Sequence, residues 1–236
     1  MKKAITALLC LLIPFQPFAT SIVIAIVGNF IYAAADSKSV VTDQYGRLMR
    51  VDTIRKIFVK KNMGFAIAGH FDSVLRMEAS LSIREGRSPK VCGDTFAARM
   101  KKQYQWVMEM EKETAPPEYQ YYLHNALGDV VFFQVKNAVP SLCLVEIVMN
   151  ERNGKTVISQ NSYATPFVAI GIADHIISIS PQEHQKMRRA REGHWELYCA
   201  DLVQVELSKH VADIGCPIRT MAWTSKGITW GKAQCR

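Results

Sequence analysis

No Cys-x-x-Cys pair occurs among the six cysteines of this 236-residue chain, and none of its six histidines belongs to a His-Glu-x-x-His run. The first absence argues against a zinc ribbon or a thioredoxin-like redox pair, and the second against a helical zinc site. No metal or other cofactor is expected. Gly154-Lys155-Thr156 has the ending of a phosphate-binding loop, but Met149 stands where its first glycine is required. There is no internal repeat and no low-complexity tract. With 49% apolar and 21% charged residues, disorder on the scale of a domain is excluded, and the length suits one core. Basic residues are scattered apart from Lys186-Met187-Arg188-Arg189-Ala190-Arg191. No aromatic residues alternate with that cluster as stacking platforms, so it reads as a solvated helix face, and no nucleic-acid partner is expected.

Charge is also missing from Ala4 to Ala35. Met1-Lys2-Lys3 followed by an apolar stretch to Phe15, with small Ala19 at its end, has the form of an export signal. Residues 1–19 are therefore read as a signal peptide or propeptide, and 20–236 as a single domain. Pro17 departs from the small-x-small pattern before a cut. Removing Lys2 and Lys3, the only charges in 1–19, lowers the formal charge from +8 to +6. The uncharged run is long enough to span a bilayer, so an uncleaved membrane anchor is the alternative. Pro14, Pro17, Gly28 and Asn29 interrupt it, however, and Ile22–Val27 is rich in β-branched residues and reads as a strand. The expected location is therefore outside the cytoplasm, with no stable membrane insertion after processing. Export would place five cysteines in an oxidising space with at least one unpaired; their pairing is left open.

Two apolar runs, 21–27 and 30–36, flank Gly28-Asn29, a hairpin turn pair. Residues 37–54 are polar and irregular. Strands follow at 55–60 and 63–69. Val74, Met77 and Leu81 mark one helix, with Asp72 as its N-cap, and Phe96, Met100, Tyr104 and Val107 mark another. Strands return at 130–135, 142–149, after the Asn153-Gly154 turn, and at 166–172. Residues 182–211 read as one long helix, and 217–223 and 228–230 as closing strands. Runs of each type, rather than strict alternation, predict an α+β fold of antiparallel sheets packed face to face with helices outside.

Four pieces of the front half carry the functional signal: Thr20-Ser21-Ile22-Val23, then Ala34-Ala35-Asp36-Ser37-Lys38, then Lys56-Ile57, then Gly64-Phe65-Ala66-Ile67-Ala68-Gly69. In this order and spacing they resemble proteasome β-subunits and the related bacterial peptidases, the N-terminal-nucleophile (Ntn) hydrolases. That family begins its mature chain with Thr and places an Ala-Asp-Ser/Thr-Arg/Lys segment sixteen residues on, the interval from Thr20 to Asp36. The resemblance covers about fifty residues well and the rest loosely. It implies a four-layer αββα sandwich and an amide hydrolase acting on peptides or unfolded chains. It also implies assembly as a homo-oligomer.

The chemistry fits those residue types. A Thr hydroxyl needs a base, and a free α-amine with a pKa of about 8 can serve as one. The resemblance assigns Thr20 as nucleophile and base, Lys56 as the neighbouring cation, Asp36 as its partner and the Gly69 N–H as oxyanion donor. It places Ile67 and Lys38 beside the substrate. The back half departs from the pattern. Where the family has a Gly-Ser-Gly-Ser-like segment, Ala169-Ile170-Gly171-Ile172-Ala173-Asp174 contains no Ser. Asp213, in Asp213-Ile214-Gly215-Cys216-Pro217, takes the later Asp role, and the Ser that follows is missing. A protein of this fold without activity, serving binding or assembly, is the second reading. Cys216 is the one candidate for a cysteine nucleophile, and the weaker one.

Overall fold

In the computed structural model, which describes residues 20–42, 48–69, 72–114, 116–123, 126–209 and 214–235, the run after Thr20 folds as a hairpin. Its strands are β1 (Ser21–Val27) and β2 (Phe30–Ala35), and Gly28 turns between them at φ 60°. Successive strand residues point to opposite faces. Ile22 and Ile24 therefore enter one core with Ile31, Ala33 and Ala35, and Val23 and Ala25 enter another with Tyr32 and Ala34. Both faces are covered, which is why the run is apolar throughout rather than alternating.

The other strands are β3 (Lys38–Thr42), β4 (Leu48–Thr53), β5 (Ile57–Lys60), β6 (Met63–Gly69), β7 (Ala126–Lys136), β8 (Val139–Arg152), β9 (Lys155–Tyr163), β10 (Phe167–Gly171), β11 (Ile218–Thr224) and β12 (Gly227–Ala233). Among the described residues they form two five-stranded sheets, β10-β1-β2-β11-β12 and β5-β6-β7-β8-β9, and a two-stranded ribbon, β3-β4. Every pairing is antiparallel. The sheets face each other across Ile22, Ile24, Ile31, Ala66, Ala68, Val131, Phe133 and Met221.

The helices are α1 (Asp72–Ser82), α2 (Pro89–Thr114), α3 (Pro116–Tyr122), α4 (Asp174–Ser178), α5 (Pro181–Ala190) and α6 (Trp195–Leu207). The first three cover the outer face of the β5–β9 sheet, where Phe65, Ile67 and Phe132 meet Leu75, Phe96, Met100 and Tyr104. On the other sheet, Val23, Ala34 and Ala222 meet Cys199, Leu202 and Val203 of α6. The result is the expected α+β sandwich in four layers, helix–sheet–sheet–helix. Glu78, 3% exposed on α1, is held by Arg99 and Gln103 of α2, so its buried carboxylate is paired and clamps the two helices.

Three elements differ from the sequence reading. The stretch 37–54 is not irregular: it contains β3 and β4, whose only ladder among the described residues is with each other and is broken by a shift at Val41/Thr42. The predicted long helix 182–211 is two. Ser180 starts α5 with a reciprocal cap to Glu183, and Gly193 at φ 81° separates α5 from α6. Residues after Ala115 form the short helix α3. Cys216 is not a free thiol but is bonded to Cys235, with Cα atoms 6.1 Å apart, which excludes it as a nucleophile. Cys92, Cys143 and Cys199 are free and buried. The expected leader, residues 1–19, and Asp213 lie outside the described residues. Among the described residues no helix is long and apolar enough to cross a membrane.

Candidate active site

The ends of β1 and β2 define the site. Their pairing sets Ile22 opposite Ala35, so Asp36 emerges beside Ser21. The Asp36 N–H donates to the Ser21 carbonyl at 3.1 Å, and the Ser21 N–H donates to Asp36 Oδ1 at 2.8 Å. This double link fixes the carboxylate one peptide unit from Thr20. Lys56, immediately before β5 in the facing sheet, crosses to it: its Nζ lies 2.9 Å from Oδ1 and 3.0 Å from Oδ2. Asp36 is fully buried and Lys56 is 3% exposed.

Two further N–H groups reach Asp36 Oδ2, from Lys38 at 3.1 Å and from Gly215 at 3.3 Å. Burial pushes the Asp36 carboxyl above its ordinary range, while the Lys56 ammonium and the Ser21 and Gly215 N–H groups pull the other way. Every neighbour named here donates, so the group that completes the network is a carboxylate, which only accepts. A buried carboxylate with these partners orients the ammonium rigidly, as a site that acts by fixed electrostatics requires.

The back half of the chain does reach the site. Ser37 donates its N–H to the Gly215 carbonyl at 3.1 Å and its hydroxyl to the Pro217 carbonyl at 2.6 Å. This brings the segment that follows Asp213 against Asp36. Cys216 sits within it, so the bond to Cys235 ties the Gly215 donor to the chain's C-terminal stretch. The Lys38 side chain lines a cavity of about 310 Å³ with Gln204, Leu207 and Ile214.

Gly69 ends β6 at φ 147°, paired with Gly128 of β7. A Cβ on Gly69 would lie 2.4 Å from the Gly128 Cα, so glycine is required here by the neighbouring strand. Ile67, two residues earlier, is 1% exposed and packs in the core under α1 and α2. On the other side of Thr20, the Ile172 N–H donates to the Thr20 carbonyl at 2.7 Å. Gly171 leaves no room for a side chain there: a Cβ would lie 2.1 Å from the Thr20 oxygen. Thr20 itself is partly exposed.

The structure thus gathers Lys56 and the 215–217 segment around Asp36, which is itself hydrogen-bonded to Ser21, the residue after Thr20. Sequence reading missed Gly171, whose role depends on strand pairing, and Asp129, which its place on β7 brings to the Gly171 N–H.

No family model matches the chain, and no characterised relative matches it in sequence. One solved structure to which it is similar is the Anbu (Gly-1) mutant from Hyphomicrobium sp. strain MC1, at 14% identity over 90% of this chain and 86% of that one, with a TM-score of 0.49.

Proposed function

We propose that the chain is an N-terminal-nucleophile amide hydrolase of the proteasome-like type, in which removal of residues 1–19 frees Thr20 as nucleophile and base. One observation carries the reading: the buried Lys56–Asp36 pair is hydrogen-bonded to the Ser21 N–H, one peptide from Thr20. A Lys ammonium buried beside a chain start has no evident structural need, since burying an ion pair contributes little stability by itself.

In the proposed reaction the neutral α-amine takes the Thr20 Oγ proton as the oxygen attacks a peptide carbonyl. The oxyanion is held by the Gly69 N–H and the Lys56 charge. The tetrahedral species collapses to an ester on Thr20, and the departing amine leaves with the proton. Water, deprotonated by the same α-amine, then releases the acyl group and regenerates Thr20. Lys56 also disfavours protonation of the nearby amine and keeps it available at neutral pH.

The proposed substrates are short peptides or unfolded chains. An exported enzyme has no ATP to drive an unfoldase, and the Cys216–Cys235 disulfide suits an oxidising compartment. Assembly as a homo-oligomer is proposed through the outer helices, where Met77 and Leu81 of α1 and Val91 and Trp106 of α2 are exposed.

The test is Thr20→Ala in the processed protein, assayed on fluorogenic peptides. Loss of all hydrolysis with an unchanged thermal midpoint is expected; full activity would remove the nucleophile assignment. The stretch Ala169–Asp174, without Ser, favours a second reading, a silent protein of this fold that binds or assembles. For that reading, processed wild type and Thr20→Ala would be equally inert.

A further inference from the structure

The candidate site holds a second acid, one of whose carboxyl oxygens is shielded from solvent, that the reaction above does not use. Asp129 lies on β7, opposite Ala68 of β6. By alternation with Val131 and Phe133 its side chain enters the space between the sheets. There its carboxyl accepts the N–H of Gly171 from the facing sheet. Gly171 pairs with Ser21, and the place its Cβ would take is 2.1 Å from the Thr20 oxygen and 3.2 Å from the Ala68 Cβ. Lys56 precedes β5, on the far side of β6. The two charged groups therefore flank the Thr20–Gly171 pair, two strand spacings or about 10 Å apart.

Asp129 Oδ1 is inaccessible to solvent and has no hydrogen-bond partner among the described residues. A buried acceptor without a donor is costly, and one that persists at a functional site calls for a donor supplied in the working state. Glu146 on β8, directly opposite Asp129, makes no hydrogen bond to Oδ1; the Tyr163 hydroxyl on β9 is directed to Glu146. Burial first and Glu146 second push the Asp129 carboxyl up to about 7.

We propose that Asp129 is a positioning residue for the mature N-terminus: its free carboxyl oxygen accepts a hydrogen bond from the α-amine of Thr20. The carboxyl thereby does the work of the hydroxyl that residues 169–174 lack. This rests on Thr20 being the processed N-terminus. Processing turns the fixed Thr20 amide N–H into a rotatable amine with further N–H donors, so the carboxyl oxygen is orphaned in the uncut chain and satisfied in the cut one. Fixing the amine directs its lone pair at Thr20 Oγ, and the acid's charge favours the ammonium. The amine's titration thus depends on Asp129 as well as on Lys56.

The experiment uses processed protein labelled with ¹⁵N-threonine, its N-terminus first established by sequencing. The α-amine is titrated by NMR, and kcat/KM on a fluorogenic peptide is followed against pH. Asp129→Asn keeps an oxygen acceptor and removes the charge. It is expected to lower the α-amine pKa by about one unit and move the acid limb of kcat/KM to lower pH by the same amount. Asp129→Ala removes both, and kcat is expected to fall at least tenfold with KM unchanged, as for a group that holds the base rather than the substrate. An unaltered amine titration in Asp129→Asn overturns the proposal even if the protein is an active Thr20 hydrolase. Because NMR reads the amine directly, a shift appears in Asp129→Asn even if no peptide is cleaved, which separates this inference from failure of the hydrolase reading. Protein that retains residues before Thr20 overturns both.

Discussion

At the scale of single residues, the centre of the molecule is one buried carboxylate with donors from four separate stretches of chain. Ser21, Lys38, Lys56 and Gly215 all give hydrogen bonds to Asp36. Removing any one charge of the pair strands the other. Lys56→Ala is therefore expected to cost about 3 to 5 kcal/mol of stability, read by denaturant unfolding, in addition to several orders of magnitude in activity. Lys56→Arg is expected to restore charge but not rate, because a planar guanidinium cannot occupy the place of a compact ammonium 2.9 Å from Oδ1. A Lys56→Arg protein with wild-type kcat would show that only charge matters there.

Asp129 makes a prediction of its own about stability. Its folded value of about 7 lies above the ordinary unfolded carboxyl value of about 3.9. Between those values the folded protein holds a proton that the unfolded chain has lost. Its contribution is complete below about pH 4 and declines as pH rises, by up to roughly 1.4 kcal/mol per unit, levelling near pH 7. Urea unfolding of wild type and Asp129→Asn across this range isolates the term, since other groups cancel in the difference. Parallel profiles for the two proteins would contradict the burial argument.

At the scale of elements, β1 and β2 carry the site because both sheet faces are covered and their register is fixed. A slip of one residue would move Ile22 and Ile24 out of the inter-sheet core and turn Asp36 away from Ser21. The C-terminal hairpin is held differently. Its strands pair from Ile218–Ala233 to Thr224–Gly227, and Cys216–Cys235 staples the open end. The bond spans 19 residues in sequence, for which loop-closure entropy predicts about 3 kcal/mol. Cys216→Ser with Cys235→Ser is expected to lower stability by that order. It should lower activity as well, because Gly215, adjacent to the staple, donates to Asp36. Peptide assays with and without reductant measure the second effect; unchanged rates would separate the staple from the site.

For the whole molecule, the prediction is assembly after export. Cell fractionation should place the mature chain outside the cytoplasm, starting at Thr20, and light scattering should report a homo-oligomer. Trp106→Glu on α2, at a position 44% exposed, is expected to reduce the assembly without unfolding the monomer. A cytoplasmic chain retaining Met1 would remove the export argument and the restriction to peptides and unfolded substrates.

Much of this was legible in one dimension because its physics is local. The hairpin 21–35 announced itself by β-branched runs around Gly28-Asn29, and α2 by apolar residues at helical spacing. The interval between Thr20 and Asp36 was read from the family resemblance, and the two-residue turn is what keeps it fixed in the hairpin. The ribbon β3–β4 was missed: it is two short strands whose one ladder among the described residues is with each other, so they lack the long apolar runs of the two packed sheets. Nor was the break between α5 and α6, where one glycine, Gly193, outweighs the helical pattern on both sides.

The sequence by itself determined the layered class of the fold, which follows from periodicity and turn chemistry; the candidate nucleophile, cation and acid came from the resemblance of four short segments to a known family. Only the tertiary structure decided which groups meet beyond the Asp36–Lys56 pair that the resemblance implied. Asp36 and Lys56 come from facing sheets, Gly215 from 179 residues beyond Asp36, and Asp129 meets Gly171 across the gap between the sheets. Cys216 and Cys235 likewise became partners only when β11 and β12 paired. Such contacts depend on how two whole sheets are registered and stacked, and that is settled by the summed packing of the core rather than by any local segment.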